Sequence, residues 1–418
     1  MNSRTPSLQK RTLLKSKWVC PIDQPPIENG VVVVLDDTIQ EVGKLSEVST
    51  SSENLIDLGD GVLIPGLVNA HTHLEFSGLE KPLGQHGIKF TDWIRLIVGN
   101  RNAINEDATN KSQAVASGLN ESFQSGVWTI GEIATAPFEI SDYQTSAKLQ
   151  VHLFLEQLGR DDSTFEEKHS QLDSFFTSKY SGGLFQNCVS PHAPYSVHPD
   201  LLKQICGQAK YHNQPVAMHL AETKAELQLL ADRTGDFVEL LKDFGVWKPE
   251  TFDERCSILE YLKTLASAPR SLAVHGNYLT NLEQDFIAEH RNAMSVVYCP
   301  RTHQFFDHEP YPLEELFKRG INVAIGTDSR ASNPDLDLFE ELKLVACLFP
   351  ETPAEQILKM GTEHGSKALG CNDRVGSISI GKRAAFGFVE GDDASPSSNS
   401  EIYDWILSAN TTCRPVEF

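Results

Sequence analysis

Leu67-Val68-Asn69-Ala70-His71-Thr72-His73-Leu74 decides how this chain is read. Residues two apart on an extended strand project to the same side, so an apolar run ending in His-x-His presents two imidazoles together. Neutral imidazole is the commonest side-chain ligand of zinc and similar divalent ions. The segment before it, Val62-Leu63-Ile64-Pro65-Gly66-Leu67-Val68, reads as one buried strand that carries the pair to its C-terminal end. Taken alone, the pair also fits two buried, hydrogen-bonded histidines with no metal role.

The same design recurs downstream. Pro215-Val216-Ala217-Met218 runs into His219, Ser271-Leu272-Ala273-Val274 into His275, and Ile321-Asn322-Val323-Ala324-Ile325-Gly326-Thr327 into Asp328. In a (β/α)8 barrel the catalytic residues come from the C-terminal ends of different parallel strands and converge on one mouth. Strand-like runs alternating with helical stretches indicate the same α/β class. The 418 residues exceed what a bare barrel of roughly 250 needs.

The motifs Pro65-Gly66-Leu67-Val68-Asn69-Ala70-His71-Thr72-His73, Pro191-His192-Ala193-Pro194-Tyr195, His219-Leu220-Ala221-Glu222-Thr223, Val274-His275-Gly276, Cys299-Pro300-Arg301 and Gly326-Thr327-Asp328-Ser329 occur in an order that resembles the amidohydrolase superfamily. The similarity is to the cytosine deaminase and triazine chlorohydrolase branch, which includes S-adenosylhomocysteine, guanine and aminofutalosine deaminases. Val375-Gly376-Ser377-Ile378 and Gly381-Lys382-Arg383-Ala384-Ala385 extend it almost to the C-terminus. The resemblance implies a TIM barrel over residues 65–373 and a small β-sandwich assembled from residues 1–64 and 374–418.

The chemistry of each residue type, within this resemblance, suggests its role. His71, His73, His219 and Asp328 are expected to hold one divalent metal ion, leaving a position for water. Such an ion lowers the water's pKa towards neutrality, producing hydroxide. Asp328 is expected to shuttle the water's proton, Glu222 to protonate a substrate ring nitrogen, and His275 to stabilise the tetrahedral intermediate. Glu222 also fits an ordinary carboxylate at a helix start. The fourth candidate strand, Phe185-Gln186-Asn187-Cys188-Val189-Ser190, has no lysine of the kind that bridges two metals in binuclear relatives, so one metal is expected. Zinc is the first choice and iron the second, because three histidines and an aspartate suit both.

Substrate contacts are expected from His192, Trp93, Arg301, His303 and Arg330, on segments that follow the strands. Arg330 stands where the branch commonly has a small or apolar residue, which points to a carboxylate or phosphate on the substrate. Thr302-His303 replaces a Ser-Asn frequent in nucleoside deaminases and argues against adenosine-like specificity. The long stretch from Lys224 to Pro269 is expected to place extra helices beside the mouth.

A formal charge of −21 argues against a nucleic-acid polymer or an anionic membrane as partner. No apolar run approaches the roughly 18 residues that cross a bilayer. The basic first residues are read as a tail leading into the first strand rather than as a targeting peptide. Eight scattered cysteines without a Cys-x-x-Cys pair fit a reducing cytoplasm, and Cys299 is read as a packing residue. The expected function is hydrolytic deamination of an aminated aromatic heterocycle of purine, nucleoside, pterin or triazine type. Chlorohydrolysis, cyclic amide hydrolysis and a metal-free scaffold are the alternatives. A small heterocycle is the expected partner, and the resemblance makes a homodimer the expected assembly.

Overall fold

The computed structural model of the protein describes residues 11–48, 54–105, 108–144, 148–178 and 184–418. The tail at residues 1–10 lies outside them, and a strand begins directly after it at Arg11.

Two sheets organise the described residues. The start of the chain supplies β1 (Arg11–Val19), β2 (Ile27–Leu35), β3 (Thr38–Lys44), β4 (Asn54–Asp57) and β5 (Val62–Pro65). Then come β6 (Leu67–Thr72), β7 (Val127–Ala134), β8 (Gln150–Gln157), β9 (Phe185–Pro191), β10 (Val216–Leu220), β11 (Ser271–His275), β12 (Met294–Tyr298) and β13 (Asn322–Ile325). β14 (Phe386–Gly391) and β15 (Thr411–Pro415) end it.

β6 to β13 pair in chain order, each parallel to its neighbours. The two ends of that order meet. Thr72 bridges Asp328, Asp328 N donates to the His71 carbonyl (3.1 Å), and Asn69 Nδ2 donates to Thr327 Oγ1 (2.8 Å). The sheet is therefore a closed eight-stranded barrel. Its strands are buried almost throughout, which is why they read as unbroken apolar runs. One apolar cluster takes Val68, Ile133, Phe154, Cys188, Ala217, Leu272, Val297 and Ala324 from the eight strands. Only the inner face of a closed barrel brings all eight together, so the interior is packed rather than open. Leu369 and Cys371 join this cluster beside Arg270, just before β11, and plug the N-terminal end.

The remaining strands, from both chain ends, form one mixed sheet in the order β15-β14-β5-β1-β2-β3. β1 is shared on one edge, pairing β4 along Thr12–Lys15 and β5 along Trp18–Val19. The sheet folds over its own core of Leu14, Val32, Val34, Ile39, Leu63, Phe386 and Phe388. Its far edge thereby meets the approach to β14, where Ile39 N donates to the Lys382 carbonyl (2.9 Å).

The run Val62–Val68 is not one strand. It breaks at Gly66, with β5 in the mixed sheet and β6 in the barrel. A Cβ at Gly66 would lie 2.3 Å from the Trp128 ring, and Trp128 Nε1 donates to the Phe386 carbonyl (2.8 Å), so the two sheets are clamped at the break. An apolar run cannot reveal such a change of partner, because both halves are equally buried.

Gly326 faces the seam that closes the barrel. A Cβ there would stand 2.8 Å from the His71 carbonyl oxygen and 2.9 Å from its Cβ. Gly207, inside the helix Pro199–His212, has no neighbour within 4 Å of such a Cβ. Gly326→Ala is expected to destabilise the protein by about 1–3 kcal/mol through overpacking, and Gly207→Ala to stabilise it by about 0.5–1 kcal/mol. Thermal and urea unfolding of both variants measure this, and an unperturbed Gly326→Ala protein would contradict the seam's rigidity.

Candidate active site

The C-terminal ends of β6, β10, β11 and β13 deliver polar side chains to one point. His71 and His73 leave β6 where its register with β7 shifts between Asn69 and Thr72, an irregularity of the kind that re-aims side chains. At the other three strand ends the backbone enters the left-handed region at Ala221 (φ 52°), His275 (φ 69°) and Asp328 (φ 56°). Each such residue costs about 1–3 kcal/mol unless its surroundings hold it. Glu226 accepts hydrogen bonds from the backbone of Ala221 (3.2 Å) and Glu222 (2.8 Å), and Thr223 caps the helix Lys224–Asp232 that carries Glu226. Tyr311 Oη donates to the His275 carbonyl (3.1 Å), and Asp328 is held by the barrel seam.

His73 Nε2 and His219 Nε2 are 3.2 Å apart, and Asp328 Oδ1 is 3.8 Å from His71 Nε2 and 3.7 Å from His73 Nε2. One ligand atom each from His71, His73 and Asp328, and from His71, His219 and His275, lie within 4.8 Å of one another. The His219 Nδ1 atom is 2.9 Å from the His192 carbonyl. A carbonyl only accepts, so Nδ1 carries the proton and Nε2 presents its lone pair to the cluster. Both nitrogens of buried His71 and Nδ1 of His73 have no hydrogen-bond partner. Burial, reinforced by the neighbouring imidazoles, holds His71 and His73 well below the ordinary histidine pKa, and His275 likewise. The cluster thus offers neutral imidazoles with unspent lone pairs beside a carboxylate, which fits a divalent ion. Without an ion, burial pushes Asp328 up to about 7 against the opposing bond from Ser332; a cation would reverse that shift.

Glu222 lies against the cluster, its Oε1 3.5 Å from His275 Nε2. Burial first, then Asp328 and Glu226, raise its pKa well above the carboxylate range, which favours the protonated form. Both groups line a cavity of about 530 Å³ that opens from the cluster to the barrel mouth. It is also lined by His192, Glu156 and Arg101, and by the apolar side chains of Phe90, Trp93, Leu240, Leu241 and Phe244. The outer walls are the helices Phe90–Asn105 and Asp236–Asp243, tied together by Arg95–Asp243 (2.5 Å) and Lys89–Asp236 (3.1 Å). The second of these helices comes from the expected insertion between His219 and His275.

Of the five residues expected to touch substrate, His192 and Trp93 line the cavity. The His192 Nδ1 atom is 2.6 Å from Ser196 Oγ, and Trp93 Nε1 donates to the Ala331 carbonyl (3.0 Å), so both rings are fixed. The other three do not line it. Arg301 is spent on Glu341 (2.8 Å) and Asp335 (2.7 Å); Glu341 in turn accepts from Asn333, whose Nδ2 also donates to the Thr327 carbonyl, so Arg301 braces the turn that carries Asp328. Arg330 forms a two-pronged pair with Glu121 (3.0 and 2.7 Å) and also donates to the Leu79 carbonyl, so its charge is already paired within the protein. His303 packs behind the wall among Tyr298, His308 and Tyr311.

Sequence reasoning overlooked Glu156 and Arg101. Glu156 ends the apolar run Val151-His152-Leu153-Phe154-Leu155 and obeys the same strand-end rule as His219. Burial alone would raise its pKa, but His192, Arg101 and the Thr135 hydrogen bond (2.7 Å) outweigh burial and keep it ionised. Arg101 falls on the helical stripe Phe90, Ile94, Ile97, Arg101 and is held by Glu75 (2.6 Å).

Known proteins are similar to this chain in sequence and in fold. The chain is 29% identical over 389 residues to a 5-methylthioadenosine/S-adenosylhomocysteine deaminase of Pyrococcus furiosus, covering 87% of this chain and 83% of the relative. Its fold superposes on Helicobacter pylori aminofutalosine deaminase in complex with methylthio-coformycin with a TM-score of 0.82, at 21% identity, over 97% of this chain and 100% of that one. An adenosine deaminase from Xanthomonas campestris with bound zinc superposes with a TM-score of 0.75, at 23% identity, over 96% and 89% of the two chains. The sequence profile of the Amidohydrolase family matches residues 62–412, and the chain belongs to that family.

Proposed function

We propose that this enzyme is a hydrolytic deaminase of an aminated purine nucleoside or a closely related heterocycle, working with one divalent metal ion held by His71, His73, His219 and Asp328. The observation that carries the reading is buried Glu222, 3.5 Å from His275 in a cavity that also reaches the histidine cluster, where burial favours its protonated form. The relatives' names, deaminases of adenine nucleosides among them, support the amino group as the one replaced.

Bound in the cluster, a divalent ion supplies a water acidified towards neutral pKa; zinc is the first choice and iron the second. Asp328 accepts the proton that the attacking water releases and returns it to the departing amine. Glu222 gives its proton to the ring nitrogen next to the attacked carbon, so negative charge does not build up on the ring. His275, anchored through its carbonyl by Tyr311, orients the attacking oxygen. His192 and Trp93 form walls for a flat ring. The unusual Thr302-His303 pair does not line the cavity and so no longer argues against a nucleoside substrate. The proposed compartment is a reducing cytoplasm, supported by eight free cysteines; no described helix is long and apolar enough to cross a membrane.

Purified enzyme is expected to carry close to one metal ion per chain by elemental analysis, and His219→Ala to lose most of it, because that substitution leaves the ion under-coordinated. Full retention of metal by His219→Ala would remove His219 from the ligand set.

Glu222→Gln keeps shape and hydrogen-bonding capacity but has no carboxylic proton to give. Its metal content is expected to match wild type while kcat for ammonia release falls by about 10² to 10⁴. Near-normal turnover would reduce Glu222 to a helix-start carboxylate. Metal-loaded wild type that releases no ammonia from any aminopurine nucleoside, aminopurine, pterin or triazine would overturn the deaminase reading itself.

A further inference from the structure

A second cavity, of about 460 Å³, opens where the last three barrel strands begin. Arg270 stands one residue before β11, Arg291 and Asn292 lie just before β12, and Asn322 opens β13. His364 and Lys367, on the helix Glu363–Leu369, line it as well. The parallel strands run from here to the histidine cluster, so the two cavities lie at opposite ends of the barrel. Backbone and side-chain bonds tie the strand starts together. Ser271 N donates to the Ala293 carbonyl (2.8 Å), and Asn322 Nδ2 donates to Ser295 Oγ (3.0 Å) and to the His364 carbonyl (3.0 Å).

The charge of this cavity is one-sided. None of its lining residues is a carboxylate, in a chain of net charge −21. Lys367 is paired with Glu363 (2.6 Å), but Arg270 and Arg291 have no ion-pair partner among the described residues. Each gives one N–H to a carbonyl near the end of a helix, Arg270 to Lys367 (2.7 Å) and Arg291 to Ala288 (3.2 Å). Capping a helix C-terminus is an ordinary role for an arginine. It uses one of the five donors of a guanidinium, though, and leaves the charge without a counter-ion. Arg270 is moreover half-buried, and burial lowers its pKa with only the Cys371 thiol acting against that. The backbone makes room for it at Gly370 (φ 74°), where a Cβ would stand 2.7 Å from Arg270 Nε. A desolvated guanidinium with unspent donors is unfavourable in the protein alone, and an anion would offset that cost.

We propose that this cavity at the strand starts is a binding site for a phosphate-type anion, held by the guanidinium groups of Arg270 and Arg291. Paired N–H donors of a planar guanidinium match two oxygens of a phosphate, and Asn292 adds an uncharged amide. The anion is inorganic phosphate or the phosphate group of a monoester. The site shares no residue with the active-site cavity, so it stands or falls independently of the deaminase reading.

The test is calorimetric titration of the metal-loaded enzyme with inorganic phosphate and with ribose 5-phosphate, at an ionic strength held constant with chloride. The wild type is expected to bind one phosphate group per chain. Arg270→Gln and Arg291→Gln are each expected to raise the Kd by about 10- to 100-fold, the usual worth of a hydrogen bond to a charged group. Arg291 is exposed, so its replacement tests the site even if Arg270→Gln weakens the fold. Arg414→Gln, which removes a cation paired with Glu390 on the mixed sheet, should leave the Kd unchanged and so excludes a general effect of charge. Tighter binding of ribose 5-phosphate than of inorganic phosphate would identify a monoester as the ligand, and the reverse order free phosphate. Circular dichroism and metal content verify each variant. Absence of phosphate binding by the wild type would overturn the proposal, and so would a Kd that both arginine variants leave unchanged, because the phosphate would then lie elsewhere.

Discussion

The hydrogen bond from Asp328 N to the His71 carbonyl, 3.1 Å long, is where the barrel closes and where the site begins. It joins the first barrel strand to the eighth, so two groups that are 257 positions apart in the sequence become neighbours in one backbone ladder. Gly326, two residues earlier, has no side chain and lets β13 approach His71. Asn69 and Thr327 reinforce the same seam from inside. The positions of the other ligating and catalytic groups follow from this closure, because His219, Glu222 and His275 are placed by strands whose spacing around the barrel is fixed once the seam forms.

The electrostatics at the mouth follow from burial. Imidazoles crowded together out of water stay neutral, and carboxyl groups among them tend to keep their protons. Asp328 and Glu222 are both pushed upwards for this reason, yet a cation in the histidine cluster would act on them unequally. Asp328 touches the cluster directly through two histidines, whereas Glu222 reaches it only beside His275. One carboxyl would therefore ionise and the other keep its proton, which is the division of labour that separates a proton acceptor from a proton donor. Glu156, beside His192 and Arg101, is ionised by its own neighbours and contributes fixed negative charge.

Much of this was legible in the sequence because strand-end chemistry has a simple signature. His71, His73, His219, His275 and Asp328 each end an apolar run, and a barrel leaves such ends only one place to meet. Glu156 has the same signature and escaped notice because a glutamate after Leu155 looks like a strand leaving the core. The arginines were misjudged for a different reason. Glu121 and Glu341, which engage Arg330 and Arg301, lie on helices distant in sequence, and no local pattern announces such a pairing. The break at Gly66 was hidden because β5 and β6 are equally apolar while belonging to different sheets.

The most direct test of this account is anomalous diffraction at the absorption edge of the metal found in the purified enzyme. The account predicts one peak per chain, touching Nε2 of His71, His73 and His219 and a carboxylate oxygen of Asp328, with Glu222 outside the coordination sphere. A peak that is not in contact with Asp328, or a second metal beside the first, would contradict the account of how this barrel mouth divides ligation from proton transfer.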